Sequence, residues 1–320
     1  MVNQKTERLR NLNKTPLQRF IINFKKNWQL HLMMLLPLAY LLIFNYGPMY
    51  GVQIAFRDYR PRGGIWGSAW VGLKQYETFF SNYKWTTYAK NTMTISLYSI
   101  LANFPVPIIL ALMLHINENE RLKKLTQNVS YLPHFISTVV MVSILNQILS
   151  PVSGIYGTIM RALGYDVIPN LTRDPDAFFH LFVWSGIWQN MGWSAIMYVA
   201  ALSAVPMELH EAAKLDGASR WKRVLHVDLP TIMPTICMMF ILRFGSIMDV
   251  GYEKAYLMQY STNLERSEIL STYVYKNGVA KTQYSYGAAV GLLNSVINIM
   301  MINLVNWITN KLSDGENGLF

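Results

Sequence analysis

Charged side chains make up only 14% of the 320 residues, whereas a water-soluble domain carries about 25%. That deficit leaves too little charge to coat a water-facing surface. A single cysteine, Cys237, excludes an internal disulfide and any CxxC metal or redox pair. No GxxxxGK(S/T) run occurs, and no glycine is followed by lysine anywhere. The phosphate-cradling loop of an ATP-binding protein is therefore missing. HExxH, GxSxG and a Cys/His metal cluster are absent as well. The six histidines (His31, His115, His134, His180, His210 and His226) are scattered and read as structural or interfacial. Covalent catalysis, a resident cofactor and a metal site are not expected.

What is present is apolar: 52% of residues are hydrophobic and 13% aromatic, with a mean hydropathy of +0.19. A helix needs about 20 mostly apolar residues to cross a bilayer. Six runs qualify: Leu30–Gly51, Met93–His115, Tyr131–Ser150, Phe178–Val205, Leu229–Val250 and Tyr286–Ile308. The expected fold is an all-α integral membrane protein of six transmembrane helices. Its organisation reads as an arm over 1–29, a six-span domain over 30–310 and a tail over 311–320. The first run leads into Asn45-Tyr46-Gly47-Pro48, not a small-x-small cleavage site, so it reads as a retained span.

Lysine and arginine set orientation. Lys5, Arg8, Arg10, Lys14, Arg19, Lys25 and Lys26 stand against one acid, Glu7, in the arm. With that arm in the cytoplasm, six spans put both termini inside, and inner segments hold 15 Lys/Arg against 12 in the longer outer loops. Nucleic acid is not the expected partner of the arm, because an apolar run starts four residues after Lys26 and no nucleic-acid-binding motif follows.

One polar inner segment stands out: VPMELHEAAKLDGASRWKRVLHVDLPTIMP, from Val205 to Pro234. Pro206 suits the first turn of a helix, Glu208 and Glu211 suit its positive end, and Gly217 suits its stop. The resulting helix is about ten residues, or roughly 15 Å, too short and too charged to cross a bilayer. A second short helix is expected over Ser219–Val227. The pair reads either as a loop lying on the headgroups or as a docking element for a soluble partner.

Glu211-Ala212-Ala213, two variable residues, Asp216-Gly217-Ala218, ten residues, Leu229-Pro230 and then Pro234 resemble the EAA loop of binding-protein-dependent ABC importer permeases. Val224 departs from the aromatic residue common there. Asn45–Tyr59, Ser150–Gly164, Ser185–Pro206 and Arg243–Met258 extend the resemblance to the carbohydrate-uptake branch, closest to lipoprotein-B-like, aldouronate, pectin-fragment and alginate permeases. The resemblance implies a type I importer fold in a bacterial inner membrane, with a coupling loop over 206–230. It also implies a second homologous permease, two ATPase subunits, an extracytoplasmic solute-binding protein and an oligosaccharide cargo. Glu211, Ala212, Ala213, Asp216 and Gly217 would be the contact and hinge positions of the coupling helix. The loops Arg57–Lys90, Pro151–Ala177 and Gly251–Ser285 would meet the binding protein.

Polar groups inside spans are costly and mark pathways or glue helices together. Asn146, Gln147, Trp188, Gln189, Asn190, Trp193 and Asn294 are the candidates for a sugar path, with Asn103 and Asn298 as further polar positions. Arg243 with Asp249 reads as a structural charge near a helix end. An ion-coupled carrier is the rival, but it would need carboxylates at the membrane midplane, and Asp249 sits at a span end. An ABC permease for a peptide, phosphonate or polyamine is the other alternative.

Overall fold

The computed structural model describes Thr15 and residues 24–312. Lys5, Arg8, Arg10, Lys14 and Arg19 of the arm, and residues 313–320 of the tail, lie outside the described residues. The described chain is mostly helical. Three helices are long and apolar enough to cross a membrane alone: Trp28–Phe56, Trp85–Ile116 and Tyr284–Lys311. Three more candidate spans are bent helix pairs.

Two of the six runs depart from a single straight helix. The third, expected over Tyr131–Ser150, is split between a helix Glu120–Tyr131, a tight turn Leu132–Phe135 and a helix Thr138–Ile148. The axis bends by 103° there. Pro133 sits at the start of the turn, and Ile136 and Ser137 are extended. The Ser137 hydroxyl then accepts the Val140 N–H and starts the next helix. The fifth run, expected over Leu229–Val250, is regular only over Met233–Phe244, entered through a 61° bend after Thr231. Pro230 and Pro234 each remove a backbone donor at that bend, residues 245–248 form turns, and residues 249–250 are irregular.

The chain is not entirely helical. Strand β1 (Arg57–Arg60) pairs antiparallel with β2 (Gly64–Trp70), with Arg57 opposite Trp70 and a register irregularity between Asp58 and Arg60. This hairpin heads the connection between the first and second spans. The expected outer loop 251–285 is likewise more structured than its polarity suggests. It folds as Tyr252–Leu257, Leu264–Ser267, Leu270–Val274 and a wide turn Tyr275–Ala280. Ala255, Ile269, Leu270, Asn263, Ser267 and Thr272 from it are buried.

Three apolar clusters follow one another along the bundle. Ile95, Met141, Phe178, Phe182 and Ile187 pack with Ala255 and Ile269. Phe79, Tyr88, Ile247 and Leu270 pack with Tyr286 and Val290. Ile108, Ala111, Ala195, Tyr198, Leu202 and Ile232 form the third, nearest the polar loop. The fourth span, Pro175–Ser203, runs through the first and third. Gly192 lets it touch the helix Glu120–Tyr131, because a Cβ there would collide with the Ser130 carbonyl. The first span is different. No side chain between Trp28 and Tyr50 is buried, and Leu36 is 76% exposed.

Polar side chains serve the irregular backbone. Asn91 Nδ2 donates to the carbonyls of Glu265 and Glu268, at 2.8 and 3.0 Å. Thr92 Oγ1 accepts the Leu270 N–H at 2.9 Å. Asn298 Oδ1 accepts the Met248 N–H at 2.9 Å, where the fifth span has unwound. Replacing Asn91 by Leu strands two carbonyls, each worth about 1–3 kcal/mol when buried unpaired. Thermal unfolding in detergent should show Asn91→Leu markedly destabilised, with Asn91→Ser retaining part of the loss.

Candidate functional site

The polar loop folds as its residues dictate. Pro206 precedes the helix Met207–Leu215. At its end the Ala218 N–H reaches the Ala213 carbonyl (2.9 Å) and the Gly217 N–H reaches that of Lys214 (3.0 Å). These are the two bonds of a Schellman stop. Gly217 carries φ +74°, a left-handed conformation costing a residue with Cβ about 1–2 kcal/mol. Ser219 Oγ caps the following turn, Arg220–Arg223, by accepting the Lys222 N–H. That turn continues through a wider one, Val224–Asp228, into the fifth span.

Glu211, Ala212, Asp216 and Gly217 are exposed and Ala213 is half-buried. Met207, Leu209 and Leu215 are exposed beside them, Leu215 by 89%. A short helix thus shows acid, small and apolar side chains together on an open surface. His210 points the other way and is buried. There it meets His115 and Asp228, three residues that the scattered positions of the histidines did not foretell.

A second site lies between the spans. A cavity of about 150 Å³ is lined by Ser96, Ser99, Asn103, Gln189, Arg243 and Lys254, among others. A neighbouring one of about 320 Å³ shares Asn103 and Arg243 and adds Trp193, Tyr198 and Met239. The two sit end to end along a stripe of the fourth span, Gly186, Asn190, Trp193 and Met197, and a stripe of the second, Ser96, Ser99, Asn103 and Pro107. Their 3- and 4-residue spacing places each stripe on one helix face.

Of the path candidates, Gln189, Asn190 and Trp193 line these cavities. They also hold the bundle together. Gln189 Nε2 donates to the Ile136 carbonyl at 2.8 Å, where the third run breaks. Asn190 Oδ1 meets His134 Nδ1 at 3.0 Å, and the His134 ring stacks on Trp193 at 4.4 Å. Asn146, Gln147, Trp188 and Asn294 are not among the lining residues of either cavity. Trp188 is 45% exposed on the bundle's outer side.

Three further polar groups line the cavities: Asn103, one of the polar span positions, Arg243, expected as a structural charge beside Asp249, and Lys254. Asn103 Oδ1 is buried with no hydrogen-bond partner, on the wall common to both cavities. Arg243 is not bonded to Asp249, which instead accepts from Asn298 Nδ2 at 3.2 Å; the arginine faces the cavities. Lys254, from the loop 251–285, donates to the Phe182 carbonyl at 2.6 Å, in space left by Gly186. Burial lowers its ammonium from the usual lysine value to about 7. The Ser96, Ser99, Asn103 spacing was the readable signal for this wall; Lys254 had none, because only folding returns its loop to the bundle.

Residues 103–314 match the family described as binding-protein-dependent transport system inner membrane component. The chain belongs to this family. This permease is 39% identical over 296 residues to Protein LplB of Bacillus subtilis strain 168, covering 92% of each chain. It is 37% identical over 303 residues to the polygalacturonan/rhamnogalacturonan transport system permease protein YteP of the same organism, covering 95% of this chain and 94% of that one. Among solved structures it is similar to a chain of a bacterial ABC transporter that imports the acidic polysaccharide alginate. The TM-score is 0.83 at 33% identity, with 92% of this chain and 99% of that one covered. A chain of that transporter in complex with an alginate pentasaccharide-bound periplasmic protein gives 0.84 at 32%, covering 94% and 100%. The permease is thus a multi-pass membrane subunit of an importer with the type I fold.

Gly217→Ala should leave the bundle intact but loosen the end of the polar helix by about 1–2 kcal/mol. Amide exchange at Gly217 and Ala218 should accelerate several-fold, with exchange in the fourth span unchanged.

Proposed function

We propose that this permease forms half of a translocation pathway for an oligosaccharide, with acidic polysaccharide fragments as the favoured class. The observation carrying that reading is the cavity lining that brings Arg243 and Lys254 together with the unpaired carbonyl of Asn103. Arg243 and a protonated Lys254 outnumber Asp249, the one acid on the same lining, so the field there favours an anion while the lysine is charged. Asn103 and the aromatic faces of Trp193 and Tyr198 suit sugar hydroxyls and rings. The relative named for polygalacturonan/rhamnogalacturonan transport and the transporter that imports the acidic polysaccharide alginate support the same class. A cavity of about 150 Å³ beside one of about 320 Å³ reaches only the lower part of the 300–1,000 Å³ range of ordinary ligand sites. A second permease, similar to this one, completes the path. The unpacked first span is an apolar face suited to that neighbour or to lipid.

The exposed helix Met207–Leu215 is the coupling element. Glu211, Ala212, Ala213, Asp216 and Gly217 seat in an ATPase subunit, two copies of which drive the importer, and the solute-binding protein docks on the opposite face. Both termini then lie in the cytoplasm.

Reconstitution tests this. Uptake should require ATP, the ATPase subunits and a binding protein; uptake driven by an ion gradient alone rejects the reading. Glu211→Arg should lower binding-protein-stimulated ATPase activity by at least about tenfold, the range of a reversed interface charge, without loss of folded complex. Arg243→Gln should cut uptake of an oligouronate more than that of a neutral oligosaccharide. A lysine with pKa about 7 is charged below that pH and neutral above it. Oligouronate uptake should therefore fall as the pH rises through 7, and Lys254→Gln should flatten that slope.

A further inference from the structure

We propose that His115, His210 and Asp228 form a three-ligand site for a divalent transition-metal ion of the zinc class. The three come from different segments. His115 ends the helix Pro105–Ile116, His210 lies on the inner face of the helix Met207–Leu215, and Asp228 closes the turn that enters the fifth span.

Asp228 is 1% exposed and His210 9%. A buried carboxylate needs a compensating cation, yet among the described residues Asp228 pairs with no lysine or arginine, only with the two imidazoles. Its Oδ1 lies 3.1 Å from His210 Nε2 and 3.5 Å from His115 Nε2. All three donor atoms fall within 4.8 Å of one another. Ligands bound tetrahedrally at 2.0–2.1 Å stand about 3.3 Å apart, so the two measured separations match edges of such a tetrahedron.

Direct hydrogen bonding does not account for the cluster. At 3.1 Å, His210 Nε2 and Asp228 Oδ1 are close enough to bond, yet neither makes a hydrogen bond. Both atoms are thus left with a lone pair for a third body. Two imidazoles and one carboxylate suit zinc or a neighbouring transition metal, whereas magnesium and calcium prefer oxygen. The fourth position opens on a cavity of about 420 Å³ lined also by Lys214, Arg220 and Arg223, where water or a small anion completes the shell. An ion there staples the polar helix to two spans at once. The site stands on its own geometry; only its effect on ATP coupling rests on the coupling-helix reading.

The test uses the assembled transporter, stripped of metal with a chelator and titrated with Zn²⁺ against a chromophoric competitor. One ion per copy of this chain should bind at submicromolar concentration. Asp228→Asn and His210→Gln should each weaken it by more than about 100-fold, beyond the cost of losing an outer-shell group. Co²⁺ should give the intense visible bands of a tetrahedral site, and His115→Cys should add a thiolate-to-cobalt charge-transfer band. Zn²⁺ uptake no greater than that of Asp228→Asn overturns the proposal. So does a cobalt spectrum that His115→Cys leaves unchanged in a folded complex. Metal binding that leaves ATPase stimulation unaltered supports the site and counts against the helix as the coupling element.

Discussion

A membrane offers no water to a broken helix, so each backbone group freed inside the bundle must find a partner within the chain. Much of this structure answers that constraint. Where the third run unwinds, the Ile136 carbonyl is met by Gln189 from the fourth span. Where the fifth unwinds, the Met248 N–H is met by Asn298 from the sixth. The loop 251–285 returns to the bundle on Asn91 and Thr92 of the second. Amides and hydroxyls that look like candidates for cargo contact turn out to license the breaks, and the breaks are what admit a polar cavity between otherwise apolar helices.

That division of labour separates the two functional surfaces. The cavity wall combines a group with no hydrogen-bond partner, Asn103 Oδ1, with Arg243 and with Lys254, which holds the Phe182 carbonyl. The polar helix is made by ordinary local rules, with a proline ahead of it and a left-handed glycine after it. It stays short because it cannot bury an apolar face all round. Between the two, Asp228 of the turn Val224–Asp228, His115 at the end of the second span and His210 of the polar helix form a cluster that links the helix to the spans.

The six apolar runs and the polar loop were legible because they rest on local signals, namely run length, proline placement and the EAA-to-Pro234 spacing. Pro206 and Gly217 bound the polar helix where the residues said they would. The 103° bend after Phe135 was not legible, since hydropathy averages across a break that keeps its neighbours apolar. Nor was the burial of Ile269 and Asn263, which lie in a stretch too short and too polar to read as core. Gln189 and Asn190 carried the right polarity for a pathway, but the period of a helix cannot tell a cavity wall from a helix joint.

Composition and pattern by themselves determined that the chain is a multi-span membrane protein whose sequence holds no ATP-binding loop motif, and that the polar segment between the fourth and fifth runs holds a short helix. Those properties depend on neighbours a few residues apart. Tertiary structure alone decided that Arg243 and Lys254 share a cavity with Asn103, and that His115, His210 and Asp228 converge. Residues 11 to 151 positions apart meet only when the chain folds back on itself, and the crossings were set by breaks whose partners lie on other spans.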